Sequence, residues 1–346
     1  MEEVGLAMSS GSKVTIREVA RYAGVSISSV SRALSGHPYV SDGLRERVHQ
    51  AANALGYHPD FLAHSLRSRQ TRTIGFLVGT ISNPVMADIS ASAAGVLAAN
   101  GYAMTLVCSQ NDPRMDVSYL RFLVHRRVDG LIVSSAANGP DQVSPVILEL
   151  GVPTVMLDRD PPPGGHVSAV LSDHASGMRK AVNHLVQQGH RRIAFISGPE
   201  YFRPARERLR GFRQAMTEAG LSISAKQIRL IKIEEMASYR ETLDLLSSPE
   251  LPTALIAGGN LILIGVLKAL RENGVAIGRD LALVGCDDID VARIYTPSIT
   301  VVARDLLNLG ETTARVLIDT IEKGQAVVQT LPTYLVVRES SSYTLT

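Results

Sequence analysis

The chain has 346 residues, of which 45% are hydrophobic and 20% charged, with a formal net charge of +2. That length exceeds one typical domain, and the apolar content suffices for a large core, so a globally disordered or fibrous chain is excluded. No run reaches the ~18 apolar residues of a membrane span and no apolar stretch follows a basic start, so a soluble, cytoplasmic and nucleoid-associated protein with no membrane partner is expected.

Residues 1–12, with Glu2, Glu3 and a Ser/Gly cluster, read as a disordered tail. Order is expected to begin at Thr15, where Thr15 and Glu18 have the spacing of a capping box. Ile16, Val19, Ala20 and Ala23 follow at helical spacing, and Gly24 stops the helix. Ser26 can cap a second helix from Ile27 to Leu34, with Val30, Ala33 and Leu34 on one face and Ser28, Ser29 and Arg32 on the other. Ser35-Gly36-His37-Pro38 breaks it. Ser41 or Asp42 opens a third helix, in which Leu44, Val48, Ala51, Ala52 and Leu55 recur on one face before Gly56. From Lys13 to Arg72 there are nine Lys or Arg and four Asp or Glu, a balance of +5. This suits an anionic partner, and equally a solvated basic surface. Three short helices with a tight turn between the first two fit a helix-turn-helix, whose second helix enters the DNA major groove. By pattern alone they also fit a small structural bundle.

Residues 60–69 form a short basic stretch of Leu, Ala, Ser and Arg that reads as a linker. Beyond Thr73 the pattern changes. Apolar runs at 74–78, 103–108, 130–133, 154–157, 169–171, 193–196, 254–257 and 281–285 alternate with helical patterns near 89–99, 117–126, 175–188, 206–219, 261–273 and 306–322. Strands this apolar are buried on both faces, which predicts parallel sheets covered by helices, and so many units predict two doubly wound lobes. Ligands of such sheets bind in crevices at the carboxyl ends of the strands. No internal sequence repeat stands out, and Pro161 to Gly165 reads as a stiff surface loop. Cys108 and Cys286 lie far apart in apolar runs and read as buried core thiols.

Val14 to Ser26, followed by Ser29-Val30-Ser31-Arg32-Ala33-Leu34, resembles the N-terminal signature of the LacI/GalR family of bacterial transcription regulators. The resemblance continues through Val40-Ser41, Arg45, Gly56-Tyr57, Pro59 and Ala63-x-Ser65-Leu66. Further on it includes Ile74 to Val78, Ser82-Asn83-Pro84, Arg127 to Gly130, Arg206-x-Arg208, Gly211-Phe212 and Asp287-Asp288. It implies an α/β protein with an N-terminal three-helix helix-turn-helix domain (13–59) and a hinge helix and linker (60–72). An effector-binding and dimerisation domain (73–346) follows, built as two doubly wound parallel lobes of periplasmic-binding-protein type. The N-lobe is expected near 73–170 and 304–332 and the C-lobe near 171–303 and 333–346.

The resemblance also implies roles. Ile27 and Ser28 face base edges, with Arg32 further along, while Thr15, Ser26, Ser31 and Tyr39 hold the phosphate backbone, and Arg17 joins the DNA-facing set. Ile27 has no hydrogen-bonding group, so it reads a thymine methyl or excludes water. Leu66 matches a residue that wedges into the minor groove and kinks the duplex; without the resemblance it is an ordinary apolar linker residue. The implied effector residues are Asn83, Asp158, Arg208, Asn260 and Asp287. Arg208 and Asp287 can bind neighbouring hydroxyls of a sugar, or the arginine can hold a carboxylate. Arg208 also belongs to a run with Arg203, Arg206, Arg210 and Arg213 that would suit a solvated helix face.

The sequence departs from the family where Val85-Met86 replaces aromatics and Gly259-Asn260 replaces an Asn-Asp pair, and it has no Trp to stack on a pyranose. A sugar, sugar acid, polyol or related metabolite is expected as effector, with control by a partner protein as the alternative. There is no Walker-type loop, no Gly-x-Ser-x-Gly elbow and no histidine set at metal spacing, so no enzyme, cofactor or metal is expected. Adjacent Asp287 and Asp288 are expected to diverge into a cleft contact and a turn or cap. The tail from Arg338 has no leucine heptad, so a homodimeric repressor on a pseudo-palindromic operator is expected, not a tetramer.

Overall fold

The computed structural model describes residues 14–34, 39–57, 70–135, 142–163 and 167–342. The 1–12 tail, the 35–38 break, the 60–68 hinge segment with Leu66, the end of the 161–165 loop and the last four residues lie outside this range. The chain divides into two compact units, Met1–Thr71 and Arg72–Thr346.

The first unit contains α1 (Ile16–Ala23), α2 (Ile27–Leu34) and α3 (Asp42–Ala54). The Glu18 carboxylate accepts the Thr15 amide at 2.7 Å, as the capping spacing predicts. Gly24 has φ 65° at the end of α1, a left-handed conformation in which an added Cβ would cost about 1 kcal/mol. The Val25 amide then reaches back to the Ala20 carbonyl at 3.0 Å. At the start of α2 the Ser29 amide donates to Ser26 Oγ at 3.1 Å. Val19, Ala20, Val30, Ala33, Val48, Ala51 and Ala52 close one small core among the three helices.

The second unit holds two sheets of the same design. β1 (Thr73–Val78), β2 (Ala103–Cys108), β3 (Gly130–Ser134), β4 (Thr154–Leu157) and β5 (Val167–Ser172) alternate with α4 (Pro84–Ala99), α5 (Pro113–His125) and α6 (Val143–Leu150). Then β6 (Ile193–Ser197), β7 (Ile228–Leu230), β8 (Ala254–Ala257), β9 (Ala282–Cys286) and β10 (Thr300–Ala303) alternate with α7 (His174–Gln187), α8 (Arg203–Glu218), α9 (Glu235–Leu246), α10 (Asn260–Glu272) and α11 (Asp290–Ile294). After α12 (Leu306–Lys323), β11 (Val328–Leu331) joins the first sheet and β12 (Tyr334–Val336) the second. The orders are β11-β5-β4-β3-β1-β2 and β12-β10-β9-β8-β6-β7. All pairings are parallel except that of β10 with β12. The five leading strands of each sheet thus share one order, a structural repeat that leaves no legible trace in the sequence. The chain passes between the lobes after Ser172, after Ala303 and after Leu331.

Three details depart from the sequence reading. The helix expected from residue 89 begins at Pro84, because Asn83 Oδ1 accepts the Val85 amide and proline suits a first turn. α9 carries no clear apolar period because two of its three buried residues, Ser238 and Thr242, are small and polar, with Leu245 the third. Ser238 and Thr242 are buried and return their hydroxyls to carbonyls of their own helix, at 2.8 and 2.7 Å. Cys108 is half-buried, since β2 is an edge strand, whereas Cys286 is buried and its thiol is pushed up to about 11 by burial.

Candidate functional site

The turn at Gly24 leaves the start of α2 open to solvent. Thr15, Arg17, Ser26, Ile27, Ser28 and Arg32 are exposed and Ser31 is half-buried. Ile27 and Tyr39 expose 43% and 91% of their surface, while Val30 and Ala33 on the same helix are buried, so the polar face of α2 is also its outward face. Ser26 Oγ lies 2.8 Å from both the Ser28 and Ser29 hydroxyls, a local network that presets the first turn. Such a surface presents short donors and one apolar contact at helix-groove spacing.

In the second unit, the carboxyl ends of both sheets face a cleft of about 870 Å³, part of it open to solvent. It lies where the strand order reverses in each sheet, beside β1 and β3 in one lobe and β6 and β8 in the other. Asn83, Asp158, Arg208, Asn260 and Asp287 all line it. Asp158 follows β4 and Asp287 follows β9, the equivalent strands of the two lobes. Both adopt positive φ, 51° and 68°, uncommon for residues other than glycine. Each backbone amide donates at 2.9 Å to the next strand, to Val170 and Val302 respectively. The repeat therefore brings two equivalent carboxylates to the crossing between lobes.

Arg304, which the sequence reading did not single out, sits between them on the second crossover. Its Nη1 donates to Asp158 Oδ2 at 2.5 Å and its Nε to Asp287 Oδ1 at 2.8 Å. A lone arginine directly after an apolar strand was the available signal, since strand ends of this kind face the crevice. Asp158 also accepts the Ser172 amide at 2.7 Å and lies 3.4 Å from His174 Nε2. Arg208 is buried despite its arginine-rich surroundings; it donates to the Gly258 carbonyl at 2.8 Å and lies 3.7 Å from Asp287. Of its neighbours on α8, Arg206 and Arg210 face outward to Asp160 and Glu207, whereas Arg203 is largely buried between Asp160 and Asp158, 3.8 Å from the latter. Asn260 Nδ2 donates to Asn83 Oδ1 at 2.5 Å, a second link between lobes. Asp288 turns away to Arg338 and Arg293, so the adjacent pair diverges. Among the described residues no group of His, Cys, Asp or Glu is arranged to hold a metal ion, and no helix is long and apolar enough to cross a membrane.

The charges are mutually supporting. Burial pushes the Asp158 carboxyl up, but His174, Arg304 and the Ser172 amide outweigh it and hold the group below the usual carboxylate range. Burial likewise raises Asp287, and the nearby Arg304 and Arg208 more than reverse this. Burial lowers His174 to about 4, with Asp158 opposing the shift and Arg208 and Arg304 reinforcing it.

A pH dependence follows. The unfolded chain takes up a proton at this histidine below about 6.5, while the folded protein does so only near 4. Acidification through that window therefore favours the unfolded state. The thermal midpoint of the wild type is expected to fall more steeply between these limits than that of His174→Asn; parallel profiles would refute the assignment.

Comparison with known proteins places these features. Residues 15–60 match the family described as bacterial regulatory proteins, lacI family, and residues 182–341 match a periplasmic binding protein-like domain. The chain is 33% identical over 316 residues to the HTH-type transcriptional repressor PurR of Haemophilus influenzae (strain PittEE), covering 91% of this chain and 93% of that protein. It is 34% identical over 310 residues to the ribose operon repressor of Escherichia coli (strain K12), covering 89% and 93%. It also resembles the lac repressor dimer solved with operator and the anti-inducer ONPF, with a TM-score of 0.84 and 29% identity over 95% of this chain and 99% of that one.

Proposed function

The chain belongs to the lacI family of bacterial regulatory proteins, a DNA-binding regulator with an effector cleft, and from that premise we propose that it is a homodimeric repressor. Each subunit reads half of a pseudo-palindromic operator in the cytoplasm, at the nucleoid. A small metabolite in the cleft resets the angle between lobes and thereby the DNA grip. The observation that carries this reading is the joint presence, in one chain, of an outward polar face on α2 and a polar cleft crossed by Arg304. The coupling is reciprocal, so an inducer that weakens operator binding must itself bind more weakly to the operator complex.

Ile27, Ser28 and Arg32 are assigned to base edges, Thr15, Ser26, Ser31 and Tyr39 to phosphates, and Arg17 to the DNA-facing set. Leu66 is assigned to the centre of the operator. Arg208, Asp287, Asn83, Asp158 and Asn260 are assigned to the effector site.

Genome-wide mapping of bound sites, followed by footprinting of the purified protein on a recovered site, tests the reading. A two-fold symmetric footprint is expected, with affinity falling steeply as salt rises. Ser28→Ala is expected to cost about ten-fold at its own base position, whereas Tyr39→Phe weakens all sequences evenly. A footprint over one half-site that ignores Leu66→Ala overturns the dimeric reading. Operator affinity that ignores every metabolite supplied would favour control by a docked protein instead.

A further inference from the structure

A neutral polyol in this cleft would hand its hydroxyl protons to Asp158 and Asp287. Three of their four oxygens already accept hydrogen bonds, and the fourth faces a guanidinium. Arg304 holds one oxygen of each, the Ser172 amide holds the second oxygen of Asp158, and Arg208 lies 3.7 Å from the second oxygen of Asp287. The two arginines, by contrast, keep donors without partners. Arg208 is 6% exposed, lines the cleft, and has a buried Nε with no hydrogen-bond partner. The Arg304 Nη2 makes no hydrogen bond among the described residues.

The backbone adds to this. α8 and α10 both begin at the cleft wall, and neither N-cap side chain makes a capping hydrogen bond, although Asn260 Oδ1 accepts the Leu261 amide within the first turn of α10. α4, by contrast, is capped by Asn83. Uncapped helix starts leave amide donors and the positive end of the dipole for whatever lies in front of them. Two arginines and two aspartates cancel in formal charge, so an entering anion meets no net negative wall.

We propose that Arg304 is a specificity-determining residue of this cleft. By occupying both carboxylates it turns a site that would accept hydroxyl protons into one that donates. It thereby selects a small metabolite bearing a carboxylate or phosphate, which sits on Arg208 and Arg304. The assignment rests on the reading of the cleft as the effector site.

Matched pairs separate charge from shape. Ribose against ribonate, glucose against gluconate, and ribose against ribose phosphate are titrated at millimolar concentration into the full-length protein by calorimetry. Operator affinity is followed in parallel. At least one anionic member is expected to bind about ten-fold tighter than its neutral partner, and R304Q is expected to erase that preference. Whether the aldonates or the sugar phosphate respond identifies the anionic group. The wild-type comparison stands even where R304Q folds poorly. Equal or tighter binding of the neutral members overturns the proposal, and so does failure of every anion to bind. Anion binding without any change in operator affinity would uphold the specificity and sink the regulatory reading. A neutral ligand that releases operator would do the reverse.

Discussion

Arg304→Ala is expected to lower the stability of the Arg72–Thr346 unit by about 3–5 kcal/mol at neutral pH, the range for a buried ion pair deprived of one partner. The side chains of Asp158 and Asp287 are only 9% and 6% exposed, so neither recovers much hydration when the guanidinium is removed. Each carboxylate keeps only a more distant arginine, Arg208 at 3.7 Å from Asp287 and Arg203 at 3.8 Å from Asp158. Both therefore share the penalty.

Without the arginine, burial raises both carboxyls, and a raised carboxyl penalises the fold above its own pKa. The deficit of the variant relative to wild type should accordingly shrink as the pH falls. Urea unfolding of the wild type and variant at several pH values measures this. Adding Asp158→Asn and Asp287→Asn to the variant should recover part of the loss. A deficit below about 1 kcal/mol that does not move with pH would place Arg304 among exposed ion pairs and sink the account.

Gly211→Ala should be strongly damaging for a single added methyl. A Cβ there would fall 2.3 Å from the Ala175 carbonyl oxygen and 2.8 Å from its Cα, both backbone atoms of the facing helix α7. Alanine ordinarily gains about 1 kcal/mol over glycine inside a helix. Overpacking costs roughly 1–3 kcal/mol or more, and a helix backbone cannot rotate aside as a side chain does. The overlap therefore wins, with an expected net loss of about 2 kcal/mol. The loss does not stay local. Phe212, the next residue, stacks on Phe195 with ring centroids 5.1 Å apart, and Arg208 lies one turn earlier on α8. Separating α7 from α8 displaces the arginine that faces the cleft. Gly95→Ala on α4 is the control, because nothing lies within 4 Å of its added Cβ; it should stabilise slightly. Equal effects of the two substitutions in thermal unfolding would contradict the packing argument.

Features that depend on neighbours three or four residues apart, or on apolar runs, are legible in the sequence. Thr15 with Glu18, the left-handed turn at Gly24 and the cap at Ser26 specify the helix-turn-helix locally. The continuously apolar strands specify buried parallel sheets, and the motif order identifies the family. How the cleft is charged emerges only in the folded chain. Arg304 and Asp158 are 146 residues apart and meet only because the chain recrosses between lobes after β10. No local period records such a contact. For the same reason the packed face of α9 was illegible: the close approach of Gly265 on α10 to the Glu235 carbonyl calls for small side chains there, not apolar ones. The strand ends could be read as a binding crevice from sequence, but the occupancy of its carboxylates by the chain's own guanidinium is a property of the folded state. Two buried carboxylates at equivalent points of two lobes require a cation between them, and only folding brings them to one place.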